Sequence, residues 1–578
     1  MAEAIPAVAV STTTTRVNLT GSWKYIRPVW RDRVAPCNAA CPVGVDIEGY
    51  MNLLREGRDS EAIDLLLREN PLPAITGRVC DHPCETACNR CSLDEGVAVH
   101  AVERALGDAA LARTQGEARA RRNADRIAVI GSGPAGLSAA VFLTRLGYAV
   151  TILEAAPEPG GLLRLGIPPY RLPRDVLDRQ IAQIRAEGVS ILCNVRMGRD
   201  LAWDTLDWFD AVFVATGAHR SRPLDVQGEE LPGVHAGLEY LRRANDGHAP
   251  DLGKQVVVVG GGNTAMDCAR SARRQGADVL VLYRRTREEM PAIADEITEA
   301  AAEGVRFLFL AAPIEVMEQQ GRLCGVAAQR MVLGSPDASG RRRPVPSDEA
   351  PFSITADAVI TAIGEEVDGA HLPFALEGGA VPVDVLGRTA APHFFAGGDM
   401  AGHERTVAHA IGAGKRAAIG IDRHLRARRG ESPPPDDVAA LRWGGAGNLS
   451  MSRWRQDDPV PRIDPVNEVV EWADINAAHF APAPRLLDWI VPPGRGRSGM
   501  REVNRGLSRS EATSEAKRCL NCGVCNDCQV CMIFCPDAAI TPDPSGHGFM
   551  VDLDYCKGCG LCAAECPRGA VTMTREGL

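Results

Sequence analysis

Two runs of cysteine near the C-terminal end constrain this chain more than any other feature. Cys525-x2-Cys528-x2-Cys531-x3-Cys535-Pro536 is followed by Cys556-x2-Cys559-x2-Cys562-x3-Cys566-Pro567. So short a segment can hardly bury a core of its own, so the sulfurs must be held by something they bind in common. Three cysteines spaced by two residues supply three thiolates to one [4Fe–4S] cluster, and the fourth, followed by proline, ligates the cluster of the other run. The spacing predicts one cluster on Cys525, Cys528, Cys531 and Cys566, and a second on Cys556, Cys559, Cys562 and Cys535. Zinc fingers rarely use two such interleaved quartets.

The chain has nineteen cysteines, and most crowd into the two ends. A secreted disulfide framework is small and spreads its cysteines, so the crowding points to thiolate ligands and a reducing, cytoplasmic compartment. Cys193, Cys268 and Cys324 stand alone and read as buried apolar residues. A net charge of −10, with no basic stripe, gives no attraction for nucleic acid or anionic lipid. Residues 1–19 lack the basic start and apolar run of a signal peptide, and no segment approaches membrane-spanning length.

The middle of the chain alternates apolar strands with Gly-rich turns and helical stretches, the pattern of parallel βαβ units. At its start, the apolar run from Arg126 enters Gly131-Ser-Gly133-Pro-Ala-Gly136, and a helical stretch follows. Gly131 suits the tight turn, Gly133 the close approach of a pyrophosphate, and Gly136 close helix–strand packing; the helix N-terminus faces the phosphates. The next strand ends in Glu154, placed to accept from a ribose hydroxyl. The segment containing Gly161, Leu162, Arg164 and Gly166 resembles the flavin-contacting stretch of the glutamate synthase small-subunit family, as does Ala215-Thr216-Gly217. Phe394-Phe-Ala-Gly397-Gly398-Asp399 resembles that family's second FAD motif, in which the aspartate accepts from the ribityl chain. The resemblance implies FAD at this first site.

A second strand and turn, Gly260-Gly261-Gly262-Asn263-Thr264-Ala265, repeats the arrangement inside the first. Its following strand ends in Arg284 and Arg285 instead of an acid. Guanidinium groups there can contact a 2′-phosphate that a carboxylate would repel, which favours NADP(H) while leaving NAD(H) open. Flavin and nicotinamide sites nested in this way imply hydride transfer between cofactors, for which no protein acid or base is required.

The N-terminal block holds Cys37-x3-Cys41-Pro42, then Cys80-x3-Cys84-x3-Cys88 and Cys91. It resembles the cluster domain shared by the glutamate synthase small subunit and the N-terminal region of dihydropyrimidine dehydrogenase. In those relatives a Cys-x2-Cys-Gly element precedes the first of these cysteines, and here none does. Cys519-Leu-Asn-Cys522-Gly523 looks like that element displaced to the far end. The resemblance implies that the chain folds back, so that Cys519 and Cys522 complete a cluster with Cys37 and Cys88. A further cluster would use Cys41, Cys80 and Cys84, with Cys91 or Glu103 as fourth ligand, making four clusters in all.

The expected architecture is a multidomain α/β chain. It comprises a helical [4Fe–4S] domain (1–125), an FAD domain (126–236 and 360–428) and an inserted NAD(P) domain (237–359). A connector (429–515) and a bacterial-ferredoxin-like α+β domain (516–578) complete it. The resemblance implies an electron-transfer oxidoreductase working between NAD(P)H and ferredoxin or a partner redox subunit. It would be the nicotinamide-coupled member of a hetero-oligomer serving a 2-oxoacid or aldehyde oxidoreductase or an aromatic acyl-CoA pathway. A stand-alone NADPH:ferredoxin oxidoreductase and the electron-input subunit of a glutamate synthase are the alternatives.

Overall fold

The computed structural model describes residues 19–113, 123–337, 340–402, 404–432, 438–444, 448–492 and 499–575. The stretch 1–18, where no signal peptide is expected, lies outside them. Among the described residues no helix is long and apolar enough to cross a membrane.

The apolar run Arg126–Ile130 becomes a central strand of a five-stranded parallel sheet. Its order is Phe394–Ala396, Ala211–Val214, Arg126–Ile130, Ala149–Leu153, Ser190–Leu192. Between the second strand of that order and the returning Phe394–Ala396, the chain builds a second parallel sheet. It runs Arg306–Phe309, Asp278–Tyr283, Gln255–Val259, Ala358–Thr361, Val234–Ala236. This sheet reaches back to Val234 and forward to Thr361, slightly beyond the expected 237–359. The short strand Val234–Ala236 pairs with Ala358–Thr361 and so belongs to the inserted unit.

An antiparallel sheet of Ala311–Gln319, Arg322–Pro336, Arg342–Pro346 and Phe352–Thr355 projects from the inserted unit. Gln320 and Gly321, with φ of +55° and +75°, form the two-residue turn at its first hairpin.

In the N-terminal block, Ile47–Arg55, Asp59–Glu69, Pro73–Val79 and Val99–Leu111 are helices. Asp46 caps the first by accepting from the Gly49 N–H at 3.1 Å. The last two cross closely: a Cβ on Gly77 would lie 2.5 Å from Arg104 Cα, and one on Gly107 would lie 2.4 Å from Ala74 N. That crossing sets Glu103 beside Thr76.

The C-terminal unit pairs Ile540–Pro542 with Phe549–Val551 and carries short helices Val530–Ile533 and Leu561–Ala564. Its last strand, Val571–Arg575, pairs antiparallel with Ile26–Trp30 from the other end of the chain. The N-terminal block is thus not purely helical, since its first strand completes the C-terminal unit. Pro28 is tolerated because this strand has one neighbour only. Between the two ends, the described residues of the connector form little regular structure, and Trp443 and Trp454 are buried. The Trp454 indole donates to Asp422 at 2.8 Å, fastening the connector to helix Val407–Arg428.

Candidate redox sites

At the first glycine turn, Gly131 has φ +101°, and a Cβ there would lie 2.6 Å from the Ala215 carbonyl. A Cβ on Gly136 would lie 2.0 Å from the Gly131 carbonyl, whereas one on Gly133 would meet nothing within 4 Å. Two glycines are therefore required by packing, and the third leaves the backbone open to a ligand's phosphates. Glu154 is buried at the end of the next strand. Its carboxylate accepts the Ser132 N–H at 2.8 Å, the Ser132 hydroxyl at 2.5 Å and the Ala156 N–H at 2.7 Å. Gly161, at φ +53°, comes so close that its Cβ would lie 2.8 Å from Gly133 Cα.

Leu162 opens the helix Leu162–Leu165, which ends at Gly166, and Gly217 turns at φ +72° beside His219. Arg164 lies in the same loop. Its guanidinium donates to the Pro159 carbonyl at 2.8 Å and pairs with Glu158 at 3.1 Å and with Asp178, so it braces its own loop. Gly398, also at φ +72°, packs against Ala135 at the start of helix Pro134–Arg145, which brings the Gly-Gly-Asp motif to the first turn. Burial raises the Asp399 carboxyl to about 6; Arg405 opposes the shift and Glu365 adds to it.

The second turn repeats the logic. A Cβ on Gly260 would lie 2.1 Å from the Ala362 carbonyl, and one on Gly262 would meet nothing within 4 Å. Asn263 accepts the Ile293 N–H at 3.0 Å, and the Thr264 hydroxyl donates to Glu365 at 3.2 Å. The two arginines part company. Arg285 is 5% exposed, donates to the Arg342 carbonyl at 2.8 Å and pairs with Asp337 at 2.9 Å, so it anchors the antiparallel sheet. Arg284 is exposed. The two arginines expected to form one fork therefore sit differently, Arg284 open to solvent and Arg285 engaged by the antiparallel sheet.

One group the sequence did not single out joins the two units. Arg171 pairs with Asp267 at 2.8 Å and Glu296 at 2.6 Å, while Arg270 pairs with Glu299 at 2.5 Å, Glu303 at 2.8 Å and also Glu296. The Arg270 and Arg274 guanidinium carbons lie 4.7 and 4.1 Å from the centroid of the Tyr170 ring. This buried lattice fixes the inserted unit against the segment that follows Gly166. The run Tyr170-Arg171 was its only signal in the sequence.

At the N-terminal end, the Cys37 thiol is pushed well up by burial and by Cys88, Cys519 and Cys522, which face it. The Cys519 thiol is pushed up to about 12 by burial, with Glu48 and Cys88 adding to the shift. Asn521, between the two returning cysteines, accepts from Arg55 at 2.7 Å and donates to Glu48 at 3.0 Å. Glu515 accepts the Ala98 N–H at 2.8 Å and pairs with Arg518 at 2.6 Å. The far end of the chain thus meets the helical block through specific buried contacts.

In a second group, burial and the facing thiols of Cys41 and Cys80 push up Cys84. Glu103 faces Cys41 and Cys80. Burial raises Glu103 to about 7, although Thr76 and Asn70, the latter at 3.0 Å, donate to it. Cys91 is exposed, with its sulfur 3.4 Å from the Glu85 carbonyl, so the carboxylate, not this thiol, accompanies the other three. Thiols buried this close together cannot all ionise without a cationic partner, which is what a cluster supplies.

The C-terminal cysteines gather as two quartets. Cys525, Cys528, Cys531 and Cys566 line one small cavity, and Cys535, Cys556, Cys559 and Cys562 line another. Each run's last cysteine joins the other run's group, as the spacing demands.

Two nested dinucleotide-binding units, with cysteine-rich modules packed at both ends, define a flavin- and nicotinamide-dependent iron–sulfur oxidoreductase. Residues 125–414 match the pyridine nucleotide-disulphide oxidoreductase family. Residues 32–115 match the dihydropyrimidine dehydrogenase domain II, 4Fe-4S cluster family, and 549–572 the 4Fe-4S binding domain. Over 84% of its length the chain is 39% identical to the NADP(+)-dependent formate dehydrogenase subunit beta of Moorella thermoacetica, covering 70% of that protein. It is 36% identical to the NADPH-Fe(3+) oxidoreductase subunit beta of Geobacter sulfurreducens, over 84% of this chain and 75% of that one. It is 37% identical to the glutamate synthase [NADPH] small chain of Halomonas elongata, over 67% of this chain and 87% of that one. The chain belongs to this family of NAD(P)H-dependent FAD and iron–sulfur oxidoreductases.

Proposed function

We propose that this chain is the nicotinamide-coupled subunit of a larger redox complex, exchanging electrons between NADP(H) and a partner that carries the substrate chemistry. What supports the reading is a succession of close contacts that links the flavin-binding unit to the cysteine groups at both ends. Helix Val407–Arg428, downstream of the Gly-Gly-Asp motif, passes so close to Pro42 that a Cβ on Gly412 would lie 2.1 Å from its carbonyl. Pro42 adjoins Cys41, whose group meets that of Cys37 at Cys84. The Cys519/Cys522 loop continues directly into the C-terminal quartets: Gly523 donates to the Arg568 carbonyl at 2.6 Å, and the Cys525 N–H donates to Asp32 at 2.9 Å. The succession ends at Cys559, which is exposed.

FAD takes up two electrons with a hydride, and [4Fe–4S] clusters carry them onward singly, which is the chemistry such a succession serves. The glycine turns hold the dinucleotides, the Tyr170–Arg270 lattice keeps the two nucleotide-binding units in register, and Arg284 reads the 2′-phosphate. Cys37, Cys88, Cys519 and Cys522 hold one cluster, Cys41, Cys80, Cys84 and Glu103 another, and the two quartets the remaining pair. None of the nineteen cysteines is paired in a disulfide, in keeping with a cytoplasmic site. The names of the two β-subunit relatives support a hetero-oligomer.

The test is anaerobic purification from the source organism, followed by NADPH addition. A co-purifying oxidoreductase subunit, and bleaching of cluster absorbance after flavin reduction, are expected. A chain that travels alone and reduces only free ferredoxin would favour the self-sufficient alternative.

A further inference from the structure

The strand Ile26–Trp30 sets Pro28 opposite Met573 and Trp30 opposite Val571. Residues two apart on a strand share a face. Here that face meets both thiol quartets: Pro28 lines the cavity of Cys535, Cys556, Cys559 and Cys562, while Trp30 lines that of Cys525, Cys528, Cys531 and Cys566. The two runs are near repeats in sequence, so the added strand is a source of asymmetry between them.

Trp30 is 7% exposed, and its ring centroid lies 6.4 Å from that of Phe549. Its Nε1 is buried and has no hydrogen-bond partner among the described residues. Buried indole N–H groups usually find a partner, and leaving one unsatisfied is costly. The indole lines that cavity together with Cys525, Cys528, Cys531 and Cys566, and it packs in one buried cluster with Cys531 and Cys566.

We infer that the Trp30 N–H donates to a sulfur of the cluster held by Cys525, Cys528, Cys531 and Cys566, and so makes that cluster the easier of the two C-terminal ones to reduce. This rests on the ligand assignment above. Reduction adds negative charge to the cluster and its sulfurs, and an N–H donor stabilises that charge, raising the potential. Pro28, at the equivalent place before the other quartet, carries no donor at all. A residue from one end of the chain thereby tunes a redox centre at the other.

Trp30→Phe keeps an aromatic ring against Phe549 and removes the donor. In an EPR-monitored redox titration of the anaerobic holoprotein, one C-terminal cluster of the variant should become about tenfold harder to reduce, 59 mV for a one-electron couple. The other should be unchanged, and iron content should stay at the wild-type value. Unaltered protein grown with 15N-indole tryptophan should show a 15N coupling to one cluster signal that Trp30→Phe removes. Unchanged potentials with iron retained would overturn the inference. If the variant loses iron, the labelled unaltered protein decides: 15N coupling supports the donor, and its absence overturns it. Wild-type protein lacking the C-terminal iron would instead overturn the ligand assignment.

Discussion

Replacing Glu69 by leucine should weaken the junction between the helical block and the flavin-binding unit more than any other single change there. Glu69 is 1% exposed and its carboxylate gathers four donors. The Lys415 ammonium lies at 2.7 Å and the Met451 N–H at 2.8 Å on one oxygen; the Ser450 hydroxyl at 2.6 Å and the Ser452 N–H at 3.0 Å lie on the other. Without it, Lys415, fully buried on helix Val407–Arg428, keeps among the described residues the Gly44 carbonyl at 3.2 Å and the Phe142 ring at 5.9 Å. Breaking a buried pair by removing one partner costs about 3–5 kcal/mol. Two orphaned backbone N–H groups add about 1–3 kcal/mol each where water cannot reach them. Lys415→Met should cost less, because the carboxylate then keeps three of its donors. Adding Lys415→Met to Glu69→Leu should recover part of the loss by removing the unpaired charge. Denaturant unfolding followed by flavin release and circular dichroism measures all three, with Glu69→Gln as a milder variant if leucine prevents expression. A Glu69→Leu cost below about 1 kcal/mol, the level of an exposed pair, would refute the reasoning.

Arg284→Glu should lower NADPH use relative to NADH by at least about tenfold, since one charge-assisted contact is lost and a repulsion gained. Arg285→Glu should instead destabilise the pairing of Arg322–Pro336 with Arg342–Pro346 and leave the preference nearly intact; stopped-flow flavin reduction with each nucleotide separates the two. Gly133→Val should give folded protein with its clusters but little bound flavin, because space is open there only to a ligand. Gly136→Val should fail to fold the turn at all; flavin-to-protein ratios beside circular dichroism would expose either error. Anaerobically prepared protein should contain one FAD and about sixteen iron atoms, the content of four [4Fe–4S] clusters. An iron assay near eight would remove the N-terminal pair.

The parts of this molecule legible in the sequence are those where one residue type at fixed spacing has a single physical use. Gly131, Gly136 and Gly260 stand where any Cβ would collide with a carbonyl, and the interleaved quartets follow from ligand count. What stayed hidden depends on partners distant in the chain. Nothing near Ile26–Trp30 announces that its neighbour is Val571–Arg575, and nothing near Arg285 announces Asp337. The choice between Cys91 and Glu103 was likewise undecidable from spacing. It turns on the close crossing at Gly77 and Gly107, which carries Glu103 inward while Cys91 stays at the surface.

The central claim is that the two ends of the chain build one redox path together, and it rests on a cluster shared by Cys37, Cys88, Cys519 and Cys522. The most direct measurement is the EPR and Mössbauer cluster count of Cys519→Ala/Cys522→Ala beside that of Cys37→Ala, each reduced anaerobically. Both variants should lose the same single signal, keep both C-terminal clusters, and retain flavin reduction by NADPH. Loss of different signals in the two variants would contradict it.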